Sequence, residues 1–510
     1  MGFVSEGTRR CLAATAGLRS MAEFGGVSRR IAGRSIWWSA LENGGLSVLS
    51  IATYIVLARL LDPADFGLFA IALAIVHVFG VFVGRFFFVA IVQRQELTTA
   101  HVDSAFWTSL GLGVVLAGVC WLGSTEIASI FDEPSLEPVL AWMGLGLIFG
   151  GLSGVLLAEL TRNLEFKALV LRTLTGRLGG AAVAITLAVL GYGVWSLVAQ
   201  HLVGDALMTC ILWITARRRP AFFYSLARVR ELVTVAVPVA SGDLVWQIKT
   251  HLFSIFVGYF AGTTALGYLN VAFRLVDAGR DLLASSVGRV ALPLFSRRQQ
   301  DLKSLRRAIS VAGRYTALIT QPIFVGLAVT ADEVVSVIFG AQWRPAVPLI
   351  QVLAVTAVVY FCRVHFWIAL MALGRPQLNL SIACLRLVVT IGGLFILGVT
   401  EAIDATYVWA FGFVAVLPYE AWLVRRVVGL GLRSQLSIPG LAVAAAVIMG
   451  GFVYAIKSQL PVGLEAIVVL AILIPCGAAL YIAAVFAMNR RAIPECFDFI
   501  AMGLKRTEDL

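Results

Sequence analysis

The chain has 510 residues, 60% of them hydrophobic and only 14% charged, with a mean hydropathy of +0.91. No soluble core could hide so much apolar surface, so soluble classes are excluded and the fold class is an all-α polytopic membrane protein. The net charge of +11 would suggest nucleic acid in a soluble protein, but Lys and Arg cluster here in short loops and at the termini. Membrane topology accounts for the excess, and no nucleic-acid partner is expected. The seven cysteines show neither a CxxC pair nor metal-ligand spacing, so no disulfide, metal or cofactor is expected.

Residues 1–34 are polar and Arg-containing and read as a cytoplasmic tail. The Arg9–Arg10 pair looks superficially like a twin-arginine signal, but CLAATAGL is a short apolar region. Met21 serves as a start as well as Met1 does. From Ser35 onward apolar runs of spanning length follow one another, about fourteen transmembrane helices centred near Leu46, Ile75, Val114, Gly146, Ala182, Leu202, Asp243, Asp277, Leu318, Val355, Val388, Phe411, Ala445 and Leu473. Every second connection is basic, through Arg94, Arg162 to Lys167, Arg228, Arg297 to Arg307, Arg375, Arg425 and Arg490. The others carry Asp62, Asp65, Asp132, Glu133, Glu333 and Glu401. This alternation places both termini in the cytoplasm.

An internal repeat organises the spans. RLLDPADFGLFAIAL from Arg59 matches YFAGTTALGYLNVAF from Tyr259, aligning Phe66–Gly67 with Leu266–Gly267 at an offset of 200. EIASIF from Glu126 matches EVVSVIF from Glu333 at an offset of 207, and both segments are expected to form short surface helices. Each half holds about six spans, an even number, so the two lobes are parallel repeats with a cavity expected between them. The expected organisation is an N-lobe at 35–216 (helices 1–6), a cytoplasmic linker at 217–231 and a C-lobe at 232–424 (helices 7–12). Two C-terminal helices at 425–488 (helices 13–14) and a cytoplasmic tail at 489–510 complete it.

The eighth span, Gly267 to Arg289, is the most informative. Asn270, Arg274, Asp277, Asp281 and Ser285 recur at helical spacing and form one narrow stripe. An ionisable residue at mid-membrane costs about 2.5–3.5 kcal/mol, so Arg274, Asp277 and Asp281 cannot all face lipid. They pin neighbouring helices or line a polar passage.

Together, DPADFGLFAIAL, EIASIFDEP, LTRNLEFKALVLRTL, GYGVWSLVAQHLV, LGYLNVAFRL and IFGAQWRPAVPLIQVLA resemble the polysaccharide-transporter branch of the multidrug/oligosaccharidyl-lipid/polysaccharide exporter superfamily. This branch contains the flippases for O-antigen and exopolysaccharide repeat units. The resemblance covers roughly Ser35 to Val424. It implies a flippase of the bacterial inner membrane that translocates a polyprenyl-diphosphate-linked oligosaccharide by alternating access, in cell-surface polysaccharide and lipopolysaccharide biosynthesis. The alternative within the superfamily is a cation-coupled multidrug antiporter. A coupling proton or sodium ion, membrane lipids, and polysaccharide polymerase or export machinery are the further partners it allows. His251 stands where the family often has an Asp, which puts acid-dependent coupling there in doubt.

A diphosphate headgroup gripped where water is scarce favours Arg, with its planar fork of donors. Arg274 is the main candidate, beside Asn270, with Arg85, Arg177 and Arg363 as further headgroup contacts and Arg386 as another cation inside a span. The last four also lie near span ends, where snorkelling explains them equally. Glu42 and Asp243, in equivalent spans of the two repeats, join Asp277, Asp281 and His251 as coupling or orienting groups. Trp343 reads as an interfacial anchor. No connection exceeds about twenty residues and no DxD pair occurs outside the spans, so a membrane enzyme acting on the same lipid is not expected.

Overall fold

The computed structural model describes residues 49–216, 218–461 and 463–490. Glu42, the N-terminal tail and the C-terminal tail beyond Arg490 lie outside the described residues, as does the side chain of Asp243. The described residues are helical throughout. In chain order the helices are α1 (Leu49–Leu60), α2 (Pro63–Gly80), α3 (Phe88–Gln93), α4 (Thr99–Ile130), α5 (Leu136–Met143), α6 (Leu145–Arg162), α7 (Phe166–Val189) and α8 (Trp195–Thr215). There follow α9 (Leu226–Ser296), α10 (Leu302–Val329), α11 (Ala331–Ile338), a 3-10 turn (Ala341–Ala346), α12 (Val347–Ala372), α13 (Pro376–Leu397), α14 (Ala402–Val427), α15 (Leu432–Gln459) and α16 (Ala466–Met488). Eleven membrane-crossing helices are long and apolar enough among the described residues, or twelve if the pair α10–α11, bent by 78°, is one span. The protein is a multi-pass membrane protein. The expected fourteen are not reached on that measure, because α1 is described only from Leu49 and the two arms of α9, which meet at a break at Gly262, count as one span.

The chain forms two compact units. Of the described residues, the first takes those up to Leu60, Ile75–Ala128 and Pro134–Gln247; the second takes Leu61–Ala74, Ser129–Glu133 and those from Ile248 onward.

In the first unit, Phe87, Ile91, Phe106, Val155 and Leu232 form a buried apolar cluster joining α3, α4, α6 and the start of α9. Polar contacts strap the segment before α9 to the first turns of α4. Arg218 pairs with Asp103 at 2.6 Å, the Ala221 N–H donates to Asp103 Oδ1 at 3.1 Å, and Phe222 stacks on Trp107. Glu231, at the root of α9, closes the strap with Arg94 and with buried His101, whose Nε2 lies 3.0 Å away. The Thr98 N–H and hydroxyl both donate to His101 Nδ1, which leaves the Nε2–H to face the carboxylate. The His101 hydrogen bond, aided by Arg94, holds the Glu231 carboxyl down at about 2, from an ordinary 4.5.

In the second unit, α10 packs on α15 and α16 through Ala317, Ala445, Ala446, Met449 and Leu473; the three alanines let the helices approach closely, and Met449 and Leu473 fill the space between them. Asp301 caps α10, its Oδ1 accepting the Lys303 and Ser304 N–H groups. Helicity fails at Thr330, and α11 restarts with Asp332 and Glu333 in its first turn, where the helix dipole favours acids. The matched segment EIASIF forms no separate helix: it runs on as the end of α4, correcting the expectation of two equivalent surface helices.

The repeat shows itself as a reciprocal crossing inside the second unit. A Cβ on Gly67 would lie 1.8 Å from the Thr263 carbonyl oxygen, and a Cβ on Gly267 would lie 1.8 Å from that of Pro63. The contact pairs are exchanged by the 200-residue offset, so two helix starts meet backbone to backbone at glycines in both. Gly262, at φ +83°, breaks α9 just before the crossing, a backbone that glycine adopts without strain. Trp343 is fully buried here, ringed by Phe66, Tyr268 and Phe339. It is a packing residue and not an interfacial anchor, because the 3-10 turn carries its indole inward.

Gly67→Ala or Gly267→Ala forces the crossing apart and costs about 1–3 kcal/mol of overpacking. Thermal unfolding of the purified protein falls for both, while Gly118→Ala, with open space at its Cβ, leaves it unchanged. The Glu231 carboxyl is lowered on folding, so its stabilisation is whole above about pH 4.5 and is lost as the pH falls towards 2. Over that interval the unfolding temperature of the wild type drops more steeply than that of Glu231→Gln.

Candidate functional site

The charged stripe lies on the arm of α9 after Gly262, and its centre is a residue the spacing argument left out. Arg280 forms an ion pair through Nη1 with Asp277 Oδ1 at 2.9 Å and donates from Nη2 to Asp281 Oδ1 at 3.3 Å, and its guanidinium carbon lies 5.6 Å from the Tyr360 ring. The available signal was the helical i,i+3 pair with Asp277. Arg274 is exposed and acts on Asp277 electrostatically, after Arg280 in strength. Asn270 and His251 are half-buried on the same helix.

Arg280, Asp277 and Tyr360 open onto a small cleft between α9, α12 and α14, with Phe273, Thr356, Trp409 and Phe413 as its other main walls. On α12, one turn beyond Tyr360, Arg363 donates from Nε to Glu420 Oε1 at 3.2 Å and from Nη1 to Gln435 Oε1 at 2.9 Å. It also stacks on Phe366. Gln435 is oriented by donating Nε2 to the carbonyls of Leu430 and Ala421. On α13, Arg386 lies 3.8 Å from the centroid of Phe413 and within electrostatic range of Glu420, Tyr360 and Arg280. The second unit therefore gathers three guanidiniums and three carboxylates from four membrane-spanning helices. They form two ion-paired knots, with Arg386 beside both.

The other sequence candidates lie elsewhere. Arg85 is exposed in the turn between α2 and α3, and Arg177, exposed on α7, donates to Ser50 Oγ of α1. Both belong to the first unit. That unit has a polar pair of its own, with His201 Nε2 3.6 Å from Asp205 Oδ2 and the His77 ring 6.3 Å from that of His201. No group of three or more His, Cys, Asp or Glu placed to hold a metal occurs among the described residues.

Arg363 is mostly buried, and Glu420 more so. Arg363→Ala strands the carboxylate and lowers stability by about 3–5 kcal/mol. Adding Glu420→Gln to it recovers much of the loss, because the buried charge is then gone. Thermal unfolding of the single and double variants measures both effects.

The chain is 26% identical over 428 residues to the succinoglycan biosynthesis transport protein ExoT of Rhizobium meliloti, covering 83% of this chain and 86% of that one. It is 25% identical over 332 residues to the lipopolysaccharide biosynthesis protein WzxC of Escherichia coli, covering 63% and 66%. Among solved structures it resembles the lipid II flippase MurJ in an inward closed conformation, with a TM-score of 0.72 at 16% identity, covering 90% of this chain and 100% of that one. At that identity the likeness establishes a shared helical fold. The model of the polysaccharide biosynthesis protein family matches residues 56–348, more than half of the chain, and the protein belongs to that family.

Proposed function

We propose that the protein is a flippase of the bacterial inner membrane, moving a polyprenyl-diphosphate-linked oligosaccharide outward for cell-surface polysaccharide. The observation that carries this reading is the set of three arginines, Arg280, Arg363 and Arg386, held inside membrane-spanning helices of one unit. Guanidiniums are costly in a bilayer interior and are kept there for a purpose. Their forked donors suit the oxygens of a diphosphate. Family membership and the printed roles of ExoT and WzxC in succinoglycan and lipopolysaccharide biosynthesis support the same cargo.

In this reading Arg274, exposed on the charged arm of α9, makes the first contact with the headgroup, and Asp277 and Asp281 orient Arg280 beside it. Asn270, Arg85, Arg177 and Arg363 are further contacts, and Asp243, His251 and Glu42 are coupling groups. Residues 35–216 and 232–424 act as the two six-helix lobes, opening in turn to the cytoplasm, where both termini lie, and to the outer face. The protein carries its cargo without covalent chemistry. A multidrug antiporter of the same superfamily would carry organic cations and would be served by unpaired acids, whereas each of Asp277, Asp281 and Glu420 is already paired with arginine.

Depletion in cells, followed by a glycan-labelling reagent that reaches only the outer face, tests the reading. Labelled lipid-linked glycan falls by at least tenfold and accumulates inside, and Arg274→Ala of normal abundance does not relieve the block. Unchanged labelling with reduced efflux of organic cations would replace the flippase with the antiporter.

A further inference from the structure

The connection between α8 and α9, in the first unit, has no helix of its own, yet its backbone is held firmly. The Ala221 N–H donates to Asp103 Oδ1 at 3.1 Å, and the Ala221 carbonyl accepts from Trp107 Nε1 at 2.9 Å. The Phe223 N–H closes back on the same carbonyl at 2.8 Å, a three-residue turn with Phe222 at its tip. A little further on, the Ser225 N–H donates to Ser104 Oγ at 2.9 Å. Side chains of α4 therefore pin the backbone on both sides of Phe222, Phe223 and Tyr224. The three rings themselves turn outward: Phe222 is 94% exposed, Phe223 49% and Tyr224 55%. Leu226, in the first turn of α9, is exposed beside them.

The pinning also sets how deep the rings lie. Trp107 stands about 12 Å along α4 from Thr99, at 1.5 Å per residue. The polar residues His101, Asp103 and Ser104 precede it, and an unbroken apolar run opens at Leu110, so Trp107 marks the level at which α4 enters the bilayer. Phe222 stacks on Trp107 with ring centroids 5.1 Å apart. The chain that leaves α8 at Thr215 thus turns back to that level. Behind the stack, Phe106 packs edge-on against both Trp107 and Trp213, which ties the exposed rings to the core of the unit. Aromatic rings at this level belong to the headgroup boundary.

The charges around them are unequally committed. Arg218 is paired with buried Asp103, and Arg94 and Arg228 share Glu231. Arg219 and Arg230 are exposed, and neither is paired with a carboxylate among the described residues. Arg230 lies one turn beyond Leu226 on the same face of α9. Glu96, in the connection before α4, is the nearest exposed acid in sequence to this strap. A rigid set of rings at headgroup depth, rimmed by uncommitted guanidiniums, is the complement of a negatively charged lipid surface. We propose that the α8–α9 connection is a contact surface for acidic glycerophospholipids, with Phe222, Phe223 and Tyr224 seated in the headgroup layer and Arg219 and Arg230 on the headgroups. The surface is independent of the cargo, since none of its residues enters the flippase reading.

The test places benzoylphenylalanine at position 222 of the full-length protein, in vesicles of equal parts phosphatidylglycerol and phosphatidylcholine, and identifies the adducts by mass after illumination. Lipid adducts are expected, with phosphatidylglycerol captured about fivefold or more over phosphatidylcholine, the preference that one arginine at an anionic surface supplies. The double substitution Arg219→Gln and Arg230→Gln is expected to keep the lipid adducts and to bring the preference to within about twofold. High salt is expected to act in the same direction on the unsubstituted arginines. Unfolding temperatures confirm that each variant folds. The surface is overturned if position 222 captures no lipid, if the two lipids are captured equally, or if the double variant keeps the full preference. Capture of a protein instead of lipid in cell membranes also overturns it and assigns the rings to a protein partner.

Discussion

Charge inside a hydrocarbon phase has to be answered within the protein, and the second unit is built around that requirement. Arg363 cannot reach water from the middle of its packing, so Glu420 of α14 and Gln435 of α15 come to it, and Gln435 is in turn held by two backbone carbonyls. Arg280 is answered from its own helix by Asp277 and Asp281. Such pairs are weak evidence for stability, since desolvation consumes much of the Coulombic gain. What they supply is fixed geometry: removing one partner leaves a charge that nothing else can satisfy, so α12, α14 and α15 are held in one register.

That register also sets the surfaces of one unit. The cleft lies where α9, α12 and α14 meet, and an apolar groove lies on the α12–α14 side of it. Phe413 belongs to both and carries Arg386 on its ring. Val352, Val355 and Val359 follow one another at helical spacing along the groove, and Arg363, four residues beyond Val359, continues that stripe one turn on to its partner Glu420, with Tyr360 to one side of it.

Glycine sets the second constraint. Helix starts that cross with carbonyl oxygens 1.8 Å from a notional Cβ can exist only where no Cβ does, and Gly67 and Gly267 meet that condition from opposite members of the repeat. The same crossing buries Trp343 and places Gln342 Nε2 3.2 Å from the Leu61 carbonyl oxygen. In the first unit, by contrast, the polar strap from Arg218 to Glu231 lies outside the apolar runs, and there ordinary hydrogen bonds and one histidine suffice.

The sequence by itself determined the class, the positions of the apolar runs, the 200-residue repeat and the presence of a charged stripe on one helix. Each follows from local periodicity or composition, which the bilayer makes unusually decisive: hydrocarbon admits only long apolar helices, and it tolerates charge only on a face turned inward. The number of independent spans was less legible, because the two arms of α9 are parted by a single left-handed glycine, Gly262, with no loop between them. Spacing along one helix also drew attention to Arg274, whereas Arg280 holds the acids. The knots of Arg363 with Glu420 and of Arg386 with Phe413 bring together residues 57 and 27 positions apart. No periodicity within one helix reports such a pairing. Only tertiary packing decided which faces met and therefore which arginines were spent on carboxylates, since that depends on how helices dock and not on what each presents alone.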